Sequence, residues 1–442
     1  MIILGLGSNL GKREALLREA IRKINHLNGV QVKSVSFLYE SEAMLLPDAD
    51  PSWNKPFLNC ALSITTKLTP HELLKGVKEI ESELGRAFKV GQRWAPRPID
   101  IDLLQWDDLQ INTPELTIPH IGLLERPFAL LPLADLYEGA GAVTPLGKEQ
   151  IERWRGAKDV PFSTVRRGYL YPSWVGILNL TPDSFSDGGV WQDSALEHAE
   201  DLIAAGADVI DIGAESTRPK AKLITPAEEW KRLEKILPLL NEKIHKKGAI
   251  VSIDTYHPET AERAIALGVD WINDVSGLVS EKMLQVIAAS ADVKYVLMHA
   301  LSVPPSSDIV LADDVDLFSE ISTFFEGKIE ALERCGVSRE RVILDPGLGF
   351  GKSVAQNMDL VRHAERLHQS GLGLPLLYGH SRKLFIKDGL KCATRNELDI
   401  ETAAISCELA LKGIDYIRVH DVALNAETLH HFSACNKICR YT

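Results

Sequence analysis

Two aspartates separated by one residue, Asp100 and Asp102, stand in the stretch RPIDIDLL at residues 97–104. Ile99, Ile101 and Leu103 alternate with them at period two, so the stretch reads as a β-strand with both carboxylates on one face. Side chains so placed project together about 6 to 7 Å apart, and like charges that near call for a neutralising cation. Two cations fit. Arg93 and Arg97 are close in sequence and could pair with the acids. Mg²⁺ is the other, since it takes one or two carboxylates and completes its shell with water and phosphate oxygens. The first would be a structural ion pair, the second a phosphoryl-transfer site.

A second group of chemistry-bearing residues lies beyond residue 174, where eight apolar stretches (WVGILN, DVIDIG, AIVSID, WINDV, KYVLMH, RVILDP, PLLYG and DYIRVH) each end on polar residues. Those ends carry Asn179, Asp211, Asp254, Asn273 with Asp274, His299, Asp345, then Ser381-Arg382-Lys383, and finally Arg418 with His420. One Asn or Asp at such a place would be read as the cap of the next helix. Polar residues at all eight ends point instead to a shared site. Lys383, Arg418 and His420 fall on the last two units, where barrels often bind phosphate. Asp254, Asn273 and Asp345 could supply acceptors and donors to an amide-like heterocycle. The group suits a polar ring attached to a phosphate.

The elements that position these residues follow from the pattern. Eight strand–helix alternations in about 270 residues predict a (β/α)₈ TIM barrel, with the chemistry at the C-terminal ends of the strands. Residues 1 to about 140 mix strands (IILGLG, VKSVSFLYE, FLNCALSITT, IDIDLLQW) with helices and read as α+β. The clearest helix is PHELLKGVKEIESELG. Thr69 and Glu72 form a capping-box pattern, Pro70 takes the first helical position, Leu73, Leu74, Val77, Ile80 and Leu84 recur at helical spacing, and Gly85 terminates it. Between about 139 and 172 the periodicity weakens. The expected division is a first domain at 1–160, a linker at 161–172 and a barrel at 173–442.

At 442 residues, two or three domains are expected. A net charge of −12 argues against a nucleic-acid partner, which would favour a basic face. No 18-residue apolar run or leader-like segment is seen, so no membrane association and a cytoplasmic location are expected. The six cysteines form no CxxC pair and read as reduced, mostly buried thiols. GLGSNLGK at 5–12 is not a phosphate loop: its glycine-to-lysine spacing fails, and Arg13 stands where that loop has a hydroxyl residue.

The barrel half resembles dihydropteroate synthase through GILNLTPDSFSDGG (176–189), GAESTRP (213–219), DTYHPE (254–259), NDVSG (273–277), LDPGLGFGK (344–352), GHSRK (379–383) and RVHDV (418–422). The resemblance implies condensation of 6-hydroxymethyl-7,8-dihydropterin diphosphate with 4-aminobenzoate, with loss of pyrophosphate. It assigns Asp254, Asn273, Asp345 and Lys383 to the pterin, with Met298 and Phe350 packing about it. Asn179 would hold Mg²⁺ on the pyrophosphate, assisted by Arg218, Arg418 and His420. Thr181, Pro182, Asp183, Phe185, Thr217, Arg218 and Pro219 would lie on closing loops that form the aminobenzoate pocket and exclude water from the electrophilic carbon. The resemblance also makes the barrel a sulfonamide target and leaves a homodimer through it open. Leu384 and Lys220 depart from the family pattern, which commonly has a hydroxyl residue and Gly there.

With RWAPRPIDIDLL, FLN (57–59), IPH (118–120) and ERPF (125–128), the first half resembles 6-hydroxymethyl-7,8-dihydropterin pyrophosphokinase. That family implies a ferredoxin-like fold moving pyrophosphate from ATP to the pterin hydroxymethyl group. Asp100 and Asp102 would bind Mg²⁺, and Arg86, Arg97, His120 and Arg126 the phosphates. Glu81 and Trp94 would line the nucleotide site, while Phe57, Asn59 and Phe128 would hold the pterin. Phe88 and Ile121 depart from the family pattern. Together the halves imply one bifunctional folate-biosynthesis transferase acting on ATP, the hydroxymethyl pterin and 4-aminobenzoate. The alternative is an active barrel fused to a degenerate, binding-only kinase half, which the intact acid pair disfavours. A methyltransferase-type pterin barrel is a further rival, but it leaves the kinase half unexplained.

Overall fold

The computed structural model describes every residue except 46–48, 88–94, 156, 169, 171, 181–189, 216–222, 307, 392–393, 436–438 and 441–442. The chain forms two compact units: Met1–Tyr171 with Leu411–Gly413 and His430–Thr442, and Pro172–Ala410 with Ile414–Leu429.

The first unit is built on β1 (Ile2–Ser8), β2 (Val30–Val35), β3 (Leu38–Ser41), β4 (Phe57–Thr66) and β5 (Asp100–Trp106). Helix α1 (Arg13–Asn25) follows β1, and α2 (Pro70–Glu83) follows β4. Antiparallel pairing gives the order β2-β4-β1-β5, the ferredoxin-like arrangement that the resemblance implied. Alternation along the strands sorts residues to two faces. Leu4, Leu6, Leu62, Ile101 and Leu103 meet Leu17, Ile21 and Ile24 of α1 and Leu73, Val77 and Ile80 of α2. On the other face, Ile3, Tyr39, Ala61 and Leu104 meet α3 (Pro127–Gly139) and α4 (Lys148–Trp154) through Leu130, Leu133, Ile151 and Trp154. Helix α2 starts where its sequence dictates, with both capping-box hydrogen bonds made and Pro70 inside the first turn. A small hairpin pairs β6 (Ile111–Asn112) with β7 (Thr117–Ile118).

The expected linker at 161–172 is corrected by the structure. Its residues 161–163 form a 3₁₀ turn whose Phe162 carbonyl accepts from Glu42 N at 2.8 Å. They lead into β8 (Val165–Gly168), which pairs antiparallel with β3. The free edge of β3 orders this segment, and VRRG has no periodicity of its own to announce it.

The second unit is the barrel. Its strands are β9 (Ser173–Asn179), β10 (Ala207–Gly213), β11 (Ile250–Asp254), β12 (Trp271–Asp274), β13 (Lys294–Met298), β14 (Val342–Asp345), β15 (Leu377–Tyr378) and β16 (Tyr416–Val419). They are parallel in the order β14-β13-β12-β11-β10-β9-β16-β15. A parallel bridge between Leu344 and Leu376 joins the two ends of that row. One residue from each strand (Val175, Val209, Ile250, Trp271, Val296, Ile343, Leu377 and Tyr416) packs in a single interior layer, so the barrel is filled rather than open. Each of the eight predicted strands is present, most within a residue of its expected ends.

The last residues, expected within the barrel domain, belong elsewhere: β17 (Cys439–Arg440) pairs antiparallel with β2 in the first sheet. Among the described residues, no helix is long and apolar enough to cross a membrane.

Candidate active sites

In the first unit, strands β4, β1 and β5 bring Asn59, Gly7 and Asp100 into one row, and Ala61, Gly5 and Asp102 into the next. The middle strand is bare there. A Cβ on Gly7 would lie 3.0 Å from Asn59 Oδ1 and 3.4 Å from the Phe57 ring, and one on Gly5 would lie 2.9 Å from the Leu104 side chain. GLG in GLGSNLGK is thus a floor between an amide and an acid pair, a role its sequence does not announce. Asn59 Nδ2 donates to Tyr39 O and Ser41 Oγ, both at 3.1 Å, which fixes its amide with Oδ1 over Gly7. Phe57 and Phe128 are half-buried, and Phe128 meets Phe162 edge-on at 5.3 Å. Phe162, from the supposed linker, is therefore an aromatic neighbour that sequence reasoning missed.

The two aspartates answer the cation question differently. Arg86 and Arg97 both bond Asp100, Arg97 at 3.0 Å. The Asp102 carboxyl has no hydrogen-bond or ion-pair partner among the described residues. Burial opposes ionisation of Asp100, but Arg86, Arg97 and Lys78 outweigh it and hold its proton affinity below the ordinary value. Burial and the Asp100 charge push Asp102 the other way. A carboxylate left unpaired beside an arginine-neutralised one is a site that still wants a cation.

Supporting groups surround the pair. Glu81 is buried rather than on a solvated helix face, and its Oε1 accepts from Ile101 N at 2.6 Å, Arg86 at 2.5 Å and Lys78 at 2.9 Å. It reaches the site by aiming Arg86 and tying α2 to β5. Asn9 clamps the Arg97 backbone, accepting from Arg97 N at 2.7 Å and donating its own N–H to Arg97 O at 3.2 Å. Burial lowers the proton affinity of His120, partly offset by Asp102. Arg126 has no carboxylate partner among the described residues. Trp94, with Phe88 and Arg93, lies outside the described residues.

In the barrel, register sets Asn179, Gly213, Asp254 and Asn273 side by side at the ends of β9–β12. The Arg418 guanidinium bonds Asp211 Oδ2 and Asp254 Oδ2, each at 2.6 Å. Fully buried Asp211 also accepts from Ser252 Oγ at 2.6 Å and Asn273 Nδ2 at 3.0 Å. Arg418, expected at the pyrophosphate, is in this structure the counter-ion of two acids. Asp211 organises Asn273 and Arg418, a role that its strand-end position only hinted at. Asp274 turns away from this group and closes its own turn through Ser276 N and Tyr295 Oη.

Across the mouth, Gly347 N donates to Asp345 Oδ1 at 2.7 Å. Lys383 Nζ donates to Leu348 O at 2.5 Å and stands 4.3 Å from the Phe350 ring centre. Phe350, Met298 and Val275 form an apolar wall with Tyr256 and Val303. His420 Nδ1 pairs with Ser381 Oγ at 3.0 Å. Burial raises Asp254 to about 7 despite Arg418, raises Asp345, and lowers Lys383 to about 8 despite Asp345. The expected loop residues Thr181, Pro182, Asp183, Phe185, Thr217, Arg218, Pro219 and Lys220 lie outside the described residues.

Acids and arginines grouped on a ferredoxin-like sheet, joined in one chain to acids, amides and a lysine grouped at a barrel mouth, are the arrangement of an enzyme with two candidate sites for polar ligands. Comparison with known proteins makes that specific. Residues 3–138 match the family of 7,8-dihydro-6-hydroxymethylpterin-pyrophosphokinase, and residues 175–420 match the pterin binding enzymes. The folate synthesis bifunctional protein of Arabidopsis thaliana is 35% identical over 465 residues, covering 96% of this chain and 94% of the relative. The protein of the same name from Chlamydia caviae is 35% identical, covering 97% and 96%. Among solved structures, dihydropteroate synthase from Anaplasma phagocytophilum with bound 6-hydroxymethylpterin-monophosphate is 39% identical with a TM-score of 0.54, covering 60% of this chain and 99% of that one. The Xanthomonas albilineans enzyme with 4-aminobenzoic acid is 36% identical at a TM-score of 0.54, covering 60% and 93%. The chain belongs to the bifunctional folate-synthesis family, with a hydroxymethyldihydropterin pyrophosphokinase half and a dihydropteroate synthase half.

Proposed function

We propose that Asp100 and Asp102 hold magnesium in the kinase half, where ATP gives its terminal pyrophosphoryl group to the pterin hydroxymethyl. The observation that carries this reading is the unpaired Asp102 beside Asp100, facing a glycine floor shared with Asn59. A bound metal would neutralise phosphate charge and orient the group being transferred. Arg86, Arg97, His120 and Arg126 hold the phosphates. Phe57 and Phe128 enclose the pterin ring while Asn59 accepts from it, and Trp94 lines the nucleotide site.

In the barrel, Asp254, Asn273, Asp345 and Lys383 read the pterin edge against Met298 and Phe350. Arg418 and His420, with Asn179 and its magnesium and with Arg218, take the departing pyrophosphate, whose growing charge is the main thing to stabilise. The arylamine of 4-aminobenzoate is neutral at pH 7 and needs no general base. Thr181, Pro182, Phe185, Thr217 and Pro219 shape its pocket and keep water out. Sulfonamides compete there; a Yersinia pestis synthase similar to this barrel was solved in complex with a sulfonamide drug. A cytoplasmic location and a homodimer through the barrel belong to the same reading.

The test is one coupled assay with ATP, Mg²⁺, hydroxymethyldihydropterin and 4-aminobenzoate. Dihydropteroate should form with no other kinase added. If it forms only when the diphosphate is supplied, the binding-only kinase half is correct instead.

A pH dependence follows from the barrel's charges. Asp254 accepts as a carboxylate above about 7, and Lys383 donates as an ammonium below about 8. Affinity for 6-hydroxymethylpterin is expected to peak between those values and fall on both sides in calorimetric titrations. Lys383→Met should remove the alkaline limb, which separates it from titration of the ligand. An unchanged limb in that variant would remove Lys383 from the pterin site.

A further inference from the structure

Lys352, the last residue of LDPGLGFGK, is not among the groups that meet substrate, yet its amine is buried among four partners; burial lowers it to about 7, and Asp345 opposes that shift. Its Nζ lies 2.9 Å from His299 Nδ1, 3.2 Å from His299 O, 3.0 Å from Gly347 O and 3.0 Å from Phe350 O. As an ammonium it has three N–H bonds to share among these four acceptors, two of which belong to His299. His299 suits this, because burial and the Lys352 charge push its imidazole down to about 3 and leave it neutral. The loop passes so close that a Cβ on Gly347, at φ +69°, would overlap the His299 carbonyl.

This one ammonium therefore draws together the end of β13 and the loop after β14, and that loop carries the pterin contacts. Gly347 N orients Asp345, Leu348 O receives Lys383, and Phe350 lies under the Lys383 ammonium. Without a donor at the centre, three carbonyl oxygens and an imidazole nitrogen would converge with nothing to bond, a costly arrangement in a buried place. We infer that Lys352 is a positioning residue of the synthase reaction, acting through the 346–352 loop to set Asp345, Lys383 and Phe350 for the pterin ring. The inference rests on the reading of those three residues as the pterin site. Asp345→Asn tests that reading separately: unchanged pterin affinity in that variant would remove the site, not the device.

In the full chain, Lys352→Met keeps the bulk and deletes the donor. It is expected to raise KM for the pterin diphosphate and Kd for 6-hydroxymethylpterin by roughly tenfold, the scale of one misaligned charged hydrogen bond. KM for 4-aminobenzoate should stay within about twofold, since that ring does not meet the loop in this reading. Kinase turnover in the same molecule reports that the chain is folded. Methylammonium should restore pterin affinity to Lys352→Ala, whereas tetramethylammonium, which has no N–H, should not. A purely structural lysine predicts a smaller folded fraction with normal pterin affinity and no rescue, and that result would overturn the inference. Should Lys352→Met not fold, His299→Leu removes one acceptor and leaves three. Its pterin KM should rise a few-fold, and an unchanged value would overturn the inference by itself.

Discussion

Asp102→Asn is expected to lower pyrophosphoryl transfer by at least about a hundredfold, the scale of losing one electrostatic contact to a transition state, while making the apo protein more stable at pH 7. The two effects have one cause. Asp102 sits buried beside Asp100, and its folded proton affinity is raised above the unfolded value. A carboxyl raised in this way contributes stability that is fully present below its unfolded pKa, near 3.9, and is lost as pH rises through the folded value. An amide removes that loss, so the melting temperature should rise at pH 7 and the gain should vanish in acid. Asp100→Asn should cost as much activity but shift stability the other way. Its folded pKa is lowered, so its contribution is present above the unfolded value and is lost as pH falls. A kinase assay and melting curves at pH 4 and 7 on both variants are sufficient. Activity surviving in Asp102→Asn at ordinary Mg²⁺ would show that the arginines are the pair's only cations.

Arg418→Ala should be the most damaging change in the barrel. Its guanidinium is shared by Asp211, which is fully buried, and Asp254, so removal leaves two like charges without their counter-ion. Breaking a buried pair costs roughly 3 to 5 kcal/mol, which in a unit this size lowers the melting temperature by roughly 10 °C. Dihydropteroate formation should disappear even where the protein is folded, because Asp254 and Asn273 lose their alignment along with the phosphate contact. Arg418→Lys keeps the charge, but one ammonium does not reproduce the two-armed contact, so it should recover stability better than turnover. Pyrophosphate titration supplies the second readout. Normal pyrophosphate binding by folded Arg418→Ala would confine Arg418 to holding the two acids.

The two halves differ in how they announce themselves in sequence. Barrel strands buried on both faces read as apolar runs ending on polar residues, and such runs need no partner to be recognised. Capping at Thr69 is equally local. Glu81 is different: it lies on the polar side of α2, and only the arrival of β5 buries it. Lys352 bonds carbonyl groups that belong to every residue type, so its partners leave no mark in the sequence. Gly5 and Gly7 lie in a stretch that fails the phosphate-loop spacing, and only strand pairing sets them between Asn59 and the aspartates. Strands of four and two residues at 165–168 and 439–440 are too short for any period, and only the edges they cover define them.

Those short strands bear on how the protein is made. The edge of β2 that β17 covers is translated some 400 residues before its partner. At 5 to 20 residues per second, that edge waits roughly 20 to 80 s on the ribosome. An unpaired edge is a template for joining another nascent chain, and Lys33, exposed in the middle of β2, is the kind of residue that discourages such joining. On polysomes, where unfinished copies stand close together, Lys33 is the exposed charge on that strand in the interval before β17 is made.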